Sequence, residues 1–350
     1  MDGSVIMKAM AAILVESGKP LVLEEIEIPA LRFGQVLVKV ICSGICGAQI
    51  NEIDAVKGPD KFLPHLLGHE ATADVLECGE GVTSVKPGDR VVMHWRKGAG
   101  LQAPTPKYRS KVGVVNAGWV TTFNTHAVIS ENRLTPVPKD FDVESGALLG
   151  CAVTTALGVL NNDAGIRAGE SLVILGTGGV GLSLVQGGVL VGAHPIVAMD
   201  VYQSKLDLAR TLGATDCVCA RSGDVAAAIR AVVGPAGADV VVDNTGNRQV
   251  IEMAYEITAA QGRTIRVGVP RKGDKASFDT LPLHFRKVLT GSEGGGTRPE
   301  VDIPRYVRLC QAGKLDLKRL VTNRYQFEQI NGAIEDLRAG KVAGRCMVAM

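Results

Sequence analysis

Apolar and polar positions divide this chain into sections with different periods. In the first section, apolar residues alternate or cluster between Gly and Pro punctuation, which predicts β-strands over 11–15, 21–27, 35–41 and 118–129. Residues 75–91 also alternate, with turns at 79–81 and 87–89. A polar loop over 95–111 interrupts this pattern. A helical run over 146–160 follows. The pattern therefore predicts a β-rich first section that ends in a helix.

The middle section alternates short apolar runs with helical segments. Strands are predicted over 172–175, 195–199, 216–219, 239–243 and 264–267, with helices after the first strand, over 204–212 and 225–233, and from Val250. This alternation is typical of a doubly wound parallel sheet. A last section, from about residue 293, contains helices over 303–312 and 327–339 and a closing strand over 344–350.

A glycine-rich turn in the middle section is the strongest functional motif. Gly176-Thr177-Gly178-Gly179-Val180-Gly181 matches G-x-G-x-x-G between a predicted strand and a predicted helix. Here Gly176 permits a tight turn, Gly178 lets the backbone approach a pyrophosphate, and Gly181 lets the helix pack on the strand. Asp200 ends the next strand, where a carboxylate accepts ribose hydroxyl hydrogens. This context favours a dinucleotide site over a glycine-rich turn that binds nothing.

Composition narrows the classes of partner. Lys and Arg number 38 against 36 Asp and Glu, so nucleic acid is not indicated as the main partner. No apolar run is long enough to span a membrane, and residues 1–4 lack the pattern of a signal peptide. The eight cysteines lack framework spacing, which fits reduced thiols. We therefore expect a cytoplasmic protein with a small-molecule substrate, without a nucleic-acid or membrane partner.

Three possible metal ligands lie far apart in the sequence. Cys46 follows the third apolar run, His69 precedes Glu70, and Cys151 lies at the start of the helical run. Two cysteines and a histidine form a Cys₂His set, which suits a catalytic zinc that keeps one position open. Spacing alone leaves open that these are core residues, as we expect for Cys42.

Several motifs occur in one characteristic order: Cys46-Gly47, Gly68-His69-Glu70, Pro87-Gly88-Asp89-Arg90-Val91, Gly150-Cys151-Ala152-Val153-Thr154-Thr155 and the 176–181 glycines. This order resembles the zinc-containing alcohol dehydrogenases of the medium-chain dehydrogenase/reductase superfamily, over about residues 7–350. The resemblance implies an α/β protein with a GroES-like β-rich catalytic domain (1–154 and 293–350) and an inserted Rossmann NAD-binding domain (155–292). It also implies a zinc-dependent oxidoreductase that transfers a hydride between NAD(H) and a secondary alcohol, polyol, sugar or amino-alcohol.

The resemblance also assigns roles to individual residues. The catalytic set comprises three zinc ligands and an acid that can approach the zinc from behind: Cys46, His69, Cys151 and Glu70. The cofactor set has four parts. The expected nicotinamide contacts are Thr155, Val180 and Val267, and the expected ribose contacts are Asp200 and Lys205. Arg345 is expected near the pyrophosphate, and the turn glycines are Gly176, Gly178, Gly179 and Gly181. Because relatives pair through their closing strands, we expect a homodimer or homotetramer.

Three departures from the family pattern modify these expectations. Residues 94–130 contain no cysteine, so ligand count excludes a four-cysteine structural zinc, and we expect one zinc per chain. Relatives carry a proton from Ser or Thr to a histidine, whereas this chain has Ala48 and Asn51 at those positions. Gln49 stands where an acid commonly supports the zinc-bound histidine.

The basic loop and the tryptophans leave alternatives open. The loop over 95–111 contains five cations and no acid, which fits a solvated surface, a lip for an anionic substrate or a subunit contact. Trp95 aligns near an aromatic wall of the substrate site in relatives, or it packs the loop. We expect Trp119 to be a buried structural residue.

Two other functions stay open. One is a metal-free, NADPH-dependent reductase of activated alkenes on the same fold. Retention of the three ligand positions and of Asp200 argues against it. The other is a nucleotide-binding protein with little catalysis, which the missing proton relay keeps open, since a fold does not fix a function.

Overall fold

The computed structural model describes residues 7–350, and their contacts separate into two units. The first unit combines the chain up to Cys151 with Arg298–Gln311 and Val321–Met350. The second comprises Ala152–Thr297 and Ala312–Leu320. Residues 1–4, which entered the argument about a signal peptide, lie outside the described residues.

The chain up to Cys151 is mainly strands, as its apolar alternation predicts. Its elements are β1 (Lys8–Leu14), β2 (Val22–Glu27), β3 (Gln35–Ile45), α1 (Gly47–Ile53), β4 (His65–Leu66), β5 (Glu70–Cys78), β6 (Arg90–His94), β7 (Lys107–Ser110), β8 (Gly113–Asn116), β9 (His126–Ser130), β10 (Leu134–Val137) and α2 (Val143–Leu149). Strands β1, β2, β7, β8 and β4 form a closed barrel.

The second unit alternates helices and strands. Its elements are α3 (Ala152–Gly158), β11 (Leu172–Leu175), α4 (Gly179–Val191), β12 (Ile196–Asp200), α5 (Gln203–Thr211), β13 (Asp216–Cys219), α6 (Val225–Val233), β14 (Ala238–Asp243), α7 (Arg248–Ile257), β15 (Thr258–Arg266), α8 (Leu281–His284) and β16 (Val288–Gly291). The strands are all parallel, in the order β13-β12-β11-β14-β15-β16, which is typical of a doubly wound sheet. The direction in which successive strands are added to the sheet reverses between β11 and β14. Side chains of β11 and β12 are buried along their whole length, which explains their uninterrupted apolar runs.

The last section returns to the first unit as α9 (Pro299–Gln311), β17 (Val321–Gln326), α10 (Ile330–Arg338) and β18 (Arg345–Ala349). Strand β18 pairs with β3 on one side and β17 on the other, in a sheet ordered β10-β6-β5-β3-β18-β17, and β9 also pairs with β3. The closing strand therefore completes a sheet that the first section begins. The expected α/β fold, with a β-rich unit formed by both ends of the chain and an inserted doubly wound parallel sheet, is confirmed.

Three local expectations differ from the structure. Of the strand expected over 118–129, only the last residues belong to a strand, β9 (His126–Ser130). The residues before it make isolated contacts, such as the bridge between Asn124 and Ala11 of β1. The helical run over 146–160 breaks between α2 and α3. Part of the polar loop over 95–111 forms β7, which pairs with β8.

The segment 312–320 also differs, since it packs with the second unit and not with the closing section. Its backbone accepts a hydrogen bond at Asp316 from the side chain of Gln186, at 2.8 Å. Arg319 in turn donates to the carbonyl of Thr211, at 2.6 Å. These contacts attach the segment to α4 and α5, and nothing local in the sequence indicates them.

Among the described residues, no single helix is long and apolar enough to cross a membrane. Helix α2 and the segment Ala152–Asp163 pass such a test only as a bent pair, by length and composition. Most of their side chains are buried within the chain, as in the core helices of many proteins.

A buried carboxylate organises the loop that carries the basic residues. Glu131 is 1% exposed, and it accepts hydrogen bonds from the backbone N–H groups of Thr83 (2.7 Å), Ser84 (2.8 Å) and Leu101 (2.7 Å). Burial opposes the ionisation of Glu131, but these donors outweigh it and lower the pKa of the carboxyl group. A carboxylate and backbone amides thus hold a cysteine-free loop in place.

We expect Glu131→Gln to lower the free energy of unfolding by about 1–3 kcal/mol, because a neutral amide accepts these bonds weakly. Urea denaturation at neutral pH measures this, with the exposed Glu77→Gln as the control. The pKa of Glu131 is lower in the folded state, so its stabilisation is present above the unfolded pKa and is lost as pH falls through the folded value. The difference in the free energy of unfolding between the unmutated protein and Glu131→Gln should therefore narrow in acid. Equal stability of these two proteins at neutral pH would contradict the assignment.

Candidate metal centre and cofactor site

The three possible metal ligands converge within the first unit. The ligand atoms of Cys46, His69 and Cys151 all lie within 4.8 Å of one another. Cys46 follows β3, His69 precedes β5, and Cys151 follows α2. Since β3 and β5 are antiparallel neighbours with Ser43 opposite Ala71, the end of one strand meets the beginning of the other. The fold thus brings together residues that are far apart in the sequence.

Gly150 allows Cys151 to reach this end of the sheet. A Cβ atom at Gly150 would overlap the carbonyl oxygen of Met93 and lie 2.9 Å from Cα of Glu70. No side chain fits in that space, so glycine lets the end of α2 rest directly on β5 and β6. Backbone packing therefore positions the third ligand.

The donor atoms fit a zinc ion. His69 directs Nδ1 at the side-chain amide of Gln49, whereas its Nε2 is buried without a hydrogen-bond partner. The neighbouring side chain of Cys151, and then that of His69, hold the pKa of Cys46 well below its usual value despite burial. Thiolates and an imidazole nitrogen are ligands that zinc prefers, and three of them leave one position open.

Gln49 supports two of the ligands at once. It is 1% exposed on α1, and its side-chain oxygen accepts a hydrogen bond from the backbone N–H of Cys46, at 3.1 Å. Its other side-chain atom contacts Nδ1 of His69. Such a contact behind a ligand fixes the ring orientation. Here the supporting group is neutral, where relatives commonly have an acid.

Glu70 lies directly behind this group in a buried ion pair. Glu70 is fully buried, Arg345 is 4% exposed, and Nη2 of Arg345 contacts Oε1 of Glu70. Gly44 provides the space, since a Cβ there would lie 2.5 Å from Oε1 of Glu70 and 3.1 Å from Nη2 of Arg345. The described cluster of ligand atoms does not include Glu70. The expected approach of Glu70 to zinc remains a prediction. The expected position of Arg345 near a pyrophosphate also remains a prediction.

The glycine-rich turn in the second unit leaves room for an anion. Gly176 has a φ of +88°, and a Cβ at Gly181 would overlap the Gly176 carbonyl oxygen, so both positions require glycine. A Cβ at Gly178, in contrast, would point into open space. Gly178 precedes α4, which begins with Gly179 and Val180 and has no side-chain cap. Its N–H groups are therefore suited to hold a pyrophosphate.

Asp200 ends β12 next to this turn. Its Oδ2 accepts hydrogen bonds from the backbone N–H (2.8 Å) and the hydroxyl (3.0 Å) of Thr177, and Oδ1 accepts from the N–H of Tyr202 (3.1 Å). Oδ1 keeps acceptor capacity for a ribose hydroxyl. Lys205 lies nearby, with its ammonium 5.0 Å from the ring of Tyr202. The sequence did not indicate Thr177, because its position in the motif admits any residue.

The expected nicotinamide contacts belong to the second unit. Thr155 is buried in α3, Val180 lies in the first turn of α4, and Val267 directly follows β15. The backbone N–H of Val267 donates to the carbonyl of Asp243, at 2.8 Å. Their contacts with a nicotinamide stay predictions.

The expectation that Trp119 is buried is wrong, because its side chain is 52% exposed. The guanidinium of Arg133 covers one face of its ring, at 5.1 Å from the centroid, and no hydrophobic core encloses the residue. Cys42, in contrast, is 5% exposed, as expected for a core cysteine. All eight cysteines are free thiols.

Comparisons with known proteins agree with this geometry. The family model for the alcohol dehydrogenase GroES-like domain matches residues 32–139, and the model for zinc-binding dehydrogenases matches residues 179–311. The chain is 31% identical to the S-(hydroxymethyl)glutathione dehydrogenase of Escherichia coli O139:H28, covering 96% of this chain and 98% of that protein. It is 32% identical to the NDMA-dependent alcohol dehydrogenase of Amycolatopsis methanolica, covering 96% and 97%. The crystal structure of benzyl alcohol dehydrogenase from Acinetobacter calcoaceticus has a TM-score of 0.89 at 28% identity, covering 99% and 100%.

We expect Gly150→Ala to lose most of its bound metal and to unfold at a lower temperature, because the new Cβ would displace Cys151 from the other ligands. Gly47→Ala is the matched control: Gly47 is next to Cys46, and a Cβ there has no neighbour within 4 Å. Elemental analysis and thermal unfolding measure the two effects. A Gly150→Ala protein with full metal content and an unchanged Tm would contradict the close packing.

Proposed function

The chain belongs to the zinc-binding alcohol dehydrogenase family, and on this premise we propose that it is a zinc- and NAD(H)-dependent dehydrogenase. Its substrate would be a secondary alcohol, polyol, sugar or amino-alcohol. The convergence of Cys46, His69 and Cys151, with Nε2 of His69 left without a partner, is the main support for this proposal. A metal-free reductase would have no use for such a set of donors.

The residues of each unit would have distinct tasks. Cys46, His69 and Cys151 would hold the zinc, which supplies a Lewis acid that favours the ionised form of an alcohol. Gln49 would keep the ring of His69 in its ligating orientation. In the second unit, the beginning of α4 and Asp200 would hold the pyrophosphate and the adenosine ribose of NAD, which accepts the hydride.

We expect one zinc per chain after zinc-replete expression, since the described cysteines and histidines form one such cluster and residues 94–130 contain no cysteine. Cys151→Ala should lose zinc and activity together. Cys217→Ala, which removes a half-buried thiol of the second unit, should keep both. Two zincs per chain, none, or a fully active Cys151→Ala protein would refute this assignment.

We expect a preference for NAD over NADP of roughly a hundredfold in kcat/KM, because Asp200 accepts from ribose hydroxyls and repels a 2′-phosphate. Asp200→Ala should reduce this preference for NAD over NADP. Asp207→Ala, which removes an exposed acid on α5, should leave the preference unchanged. Steady-state kinetics with both cofactors tests this. Equal kcat/KM values for the unmutated protein would overturn it.

The proton that alcohol oxidation releases needs a route that the usual side chains do not provide here. Ala48 and Asn51 lie on α1, directly after Cys46, and neither side chain titrates. Ala48 is exposed and leaves space for water, and Asn51 can hydrogen-bond such a water. A hydroxyl or amine next to the reacting carbon of the substrate would provide a second route.

We therefore expect polyhydroxy or amino-alcohol substrates to turn over faster than ethanol or benzyl alcohol, within the range of about 10²–10⁴ that acid–base assistance contributes. Ala48→Ser should raise the turnover number for simple alcohols more than for polyols. Turnover numbers across a panel of alcohols measure both effects. Equal rates for benzyl alcohol and the best polyol, or no gain from Ala48→Ser, would refute the account.

A further inference from the structure

Arg133 is a buried cation without a carboxylate partner among its described contacts. Its side chain is 6% exposed. It donates to the carbonyl of Trp95 and to the side-chain oxygen of Gln102 (3.2 Å), and its Nε has no partner. Burial, and then the positive charge of Arg96, lower the pKa of Arg133. A buried charge is costly unless an opposite charge compensates it.

Both tryptophans of the chain contact this cation, Trp119 through its ring and Trp95 through its backbone carbonyl. The guanidinium of Arg133 lies 5.1 Å from the ring centroid of Trp119, and that of Arg96 lies 5.6 Å from the ring centroid of Trp95. The indole N–H of Trp95 is buried and has no acceptor. Two buried donors, Nε of Arg133 and Nε1 of Trp95, thus lack acceptors in the same region. The exposed ring of Trp119 marks where this region meets solvent.

The described contacts of Arg133 are a backbone carbonyl, an amide oxygen and an aromatic ring, and none of them carries a negative charge. An anion would balance the charge of Arg133 and supply the missing acceptors.

The strand register places this region beside the metal-ligand cluster, within the same unit. Strands β5 and β6 are antiparallel, with Glu70 opposite His94. His69 precedes Glu70 and Trp95 follows His94, so both residues lie at the same end of this strand pair. Strand β10 pairs with the other edge of β6, with Leu134 opposite Met93, so Arg133 also lies at this end.

We propose that Arg133, together with the neighbouring Trp95 and Trp119, binds a carboxylate or phosphate group of the alcohol substrate. We call these three residues the Arg133 subsite. The inference rests on the proposed dehydrogenase function and narrows its substrates to acidic alcohols. An anionic oxygen would accept from Nε of Arg133 and from the indole N–H of Trp95 in charge-assisted hydrogen bonds. Interactions of this kind correspond to about tenfold to a hundredfold in binding.

Tryptophan fluorescence tests the subsite without turnover, because Trp95 and Trp119 are the only tryptophans of the chain. Zinc-loaded protein should change its emission when titrated with the secondary alcohols 3-hydroxybutyrate or 2-hydroxypropyl phosphate, and not with butane-1,3-diol at the same concentrations. The two anions distinguish a carboxylate from a phosphate site. A response to neither anion, or an equal response to the diol, would overturn the proposal.

Kinetics provides the second test. The unmutated enzyme should oxidise the preferred anion with a kcat/KM at least tenfold above that of the diol, mainly through KM. Arg133→Met should remove this preference and keep turnover of the diol, and Arg133→Lys should keep part of it. Lys107→Met, which removes an exposed cation at the start of β7, should change neither.

The outcomes separate the subsite from the proposed function. Oxidation of neutral alcohols without preference for either anion would refute the subsite and leave the dehydrogenase intact. Equal losses on both substrates in Arg133→Met would assign the residue a structural role only. If that variant does not fold, because Arg133 also holds Trp95 and Gln102, the preference of the unmutated enzyme decides. If no alcohol is oxidised, the proposed function fails, and the fluorescence titration still tests the subsite.

Discussion

The buried carboxylate of Glu70 joins the segments that form the candidate metal centre. It directly follows His69, pairs with Arg345 of the closing strand, and packs against positions where only glycine fits, Gly44 and Gly150. A side chain at either glycine would push the strands apart or displace the third ligand. An uncompensated carboxylate would also be costly at this depth. This constraint explains why the first unit needs the last strand of the chain, since β18 supplies the neutralising charge.

Charge also organises the loop beside that centre. Where cysteines would be needed for a structural zinc, Glu131 binds three backbone N–H groups from two segments. This arrangement places the loop that carries Arg96 against the strand ends at the ligand cluster. Arg133 lies in the same short helical turn as Glu131, and it is buried with an Nε that has no acceptor. The hydrogen bonds of Glu131 therefore hold a loop that carries basic residues beside a further buried cation.

Much of the fold was predictable because its signals are local. The alternation of strands and helices gave the parallel sheet of the second unit, and β13 and α6 have the predicted bounds. The glycine-rich turn was predictable for the same reason, since the φ angle at Gly176 and the close packing at Gly181 are both set within one turn. The break between α2 and α3, and the strand shortened to His126–Ser130, were not predictable, because packing against distant residues decides them.

The sequence by itself determined the ligand types, the dinucleotide motif and the absence of a cysteine-rich lobe, because these depend on residue identity and local order. Tertiary structure decided that Cys46, His69 and Cys151 converge, that Thr177 holds the carboxylate next to its turn, and that Trp119 is exposed. Each of these outcomes depends on how segments that are separated in the chain pack against one another. Local periodicity does not encode such relations, because they arise only when strand register and backbone packing bring the segments together.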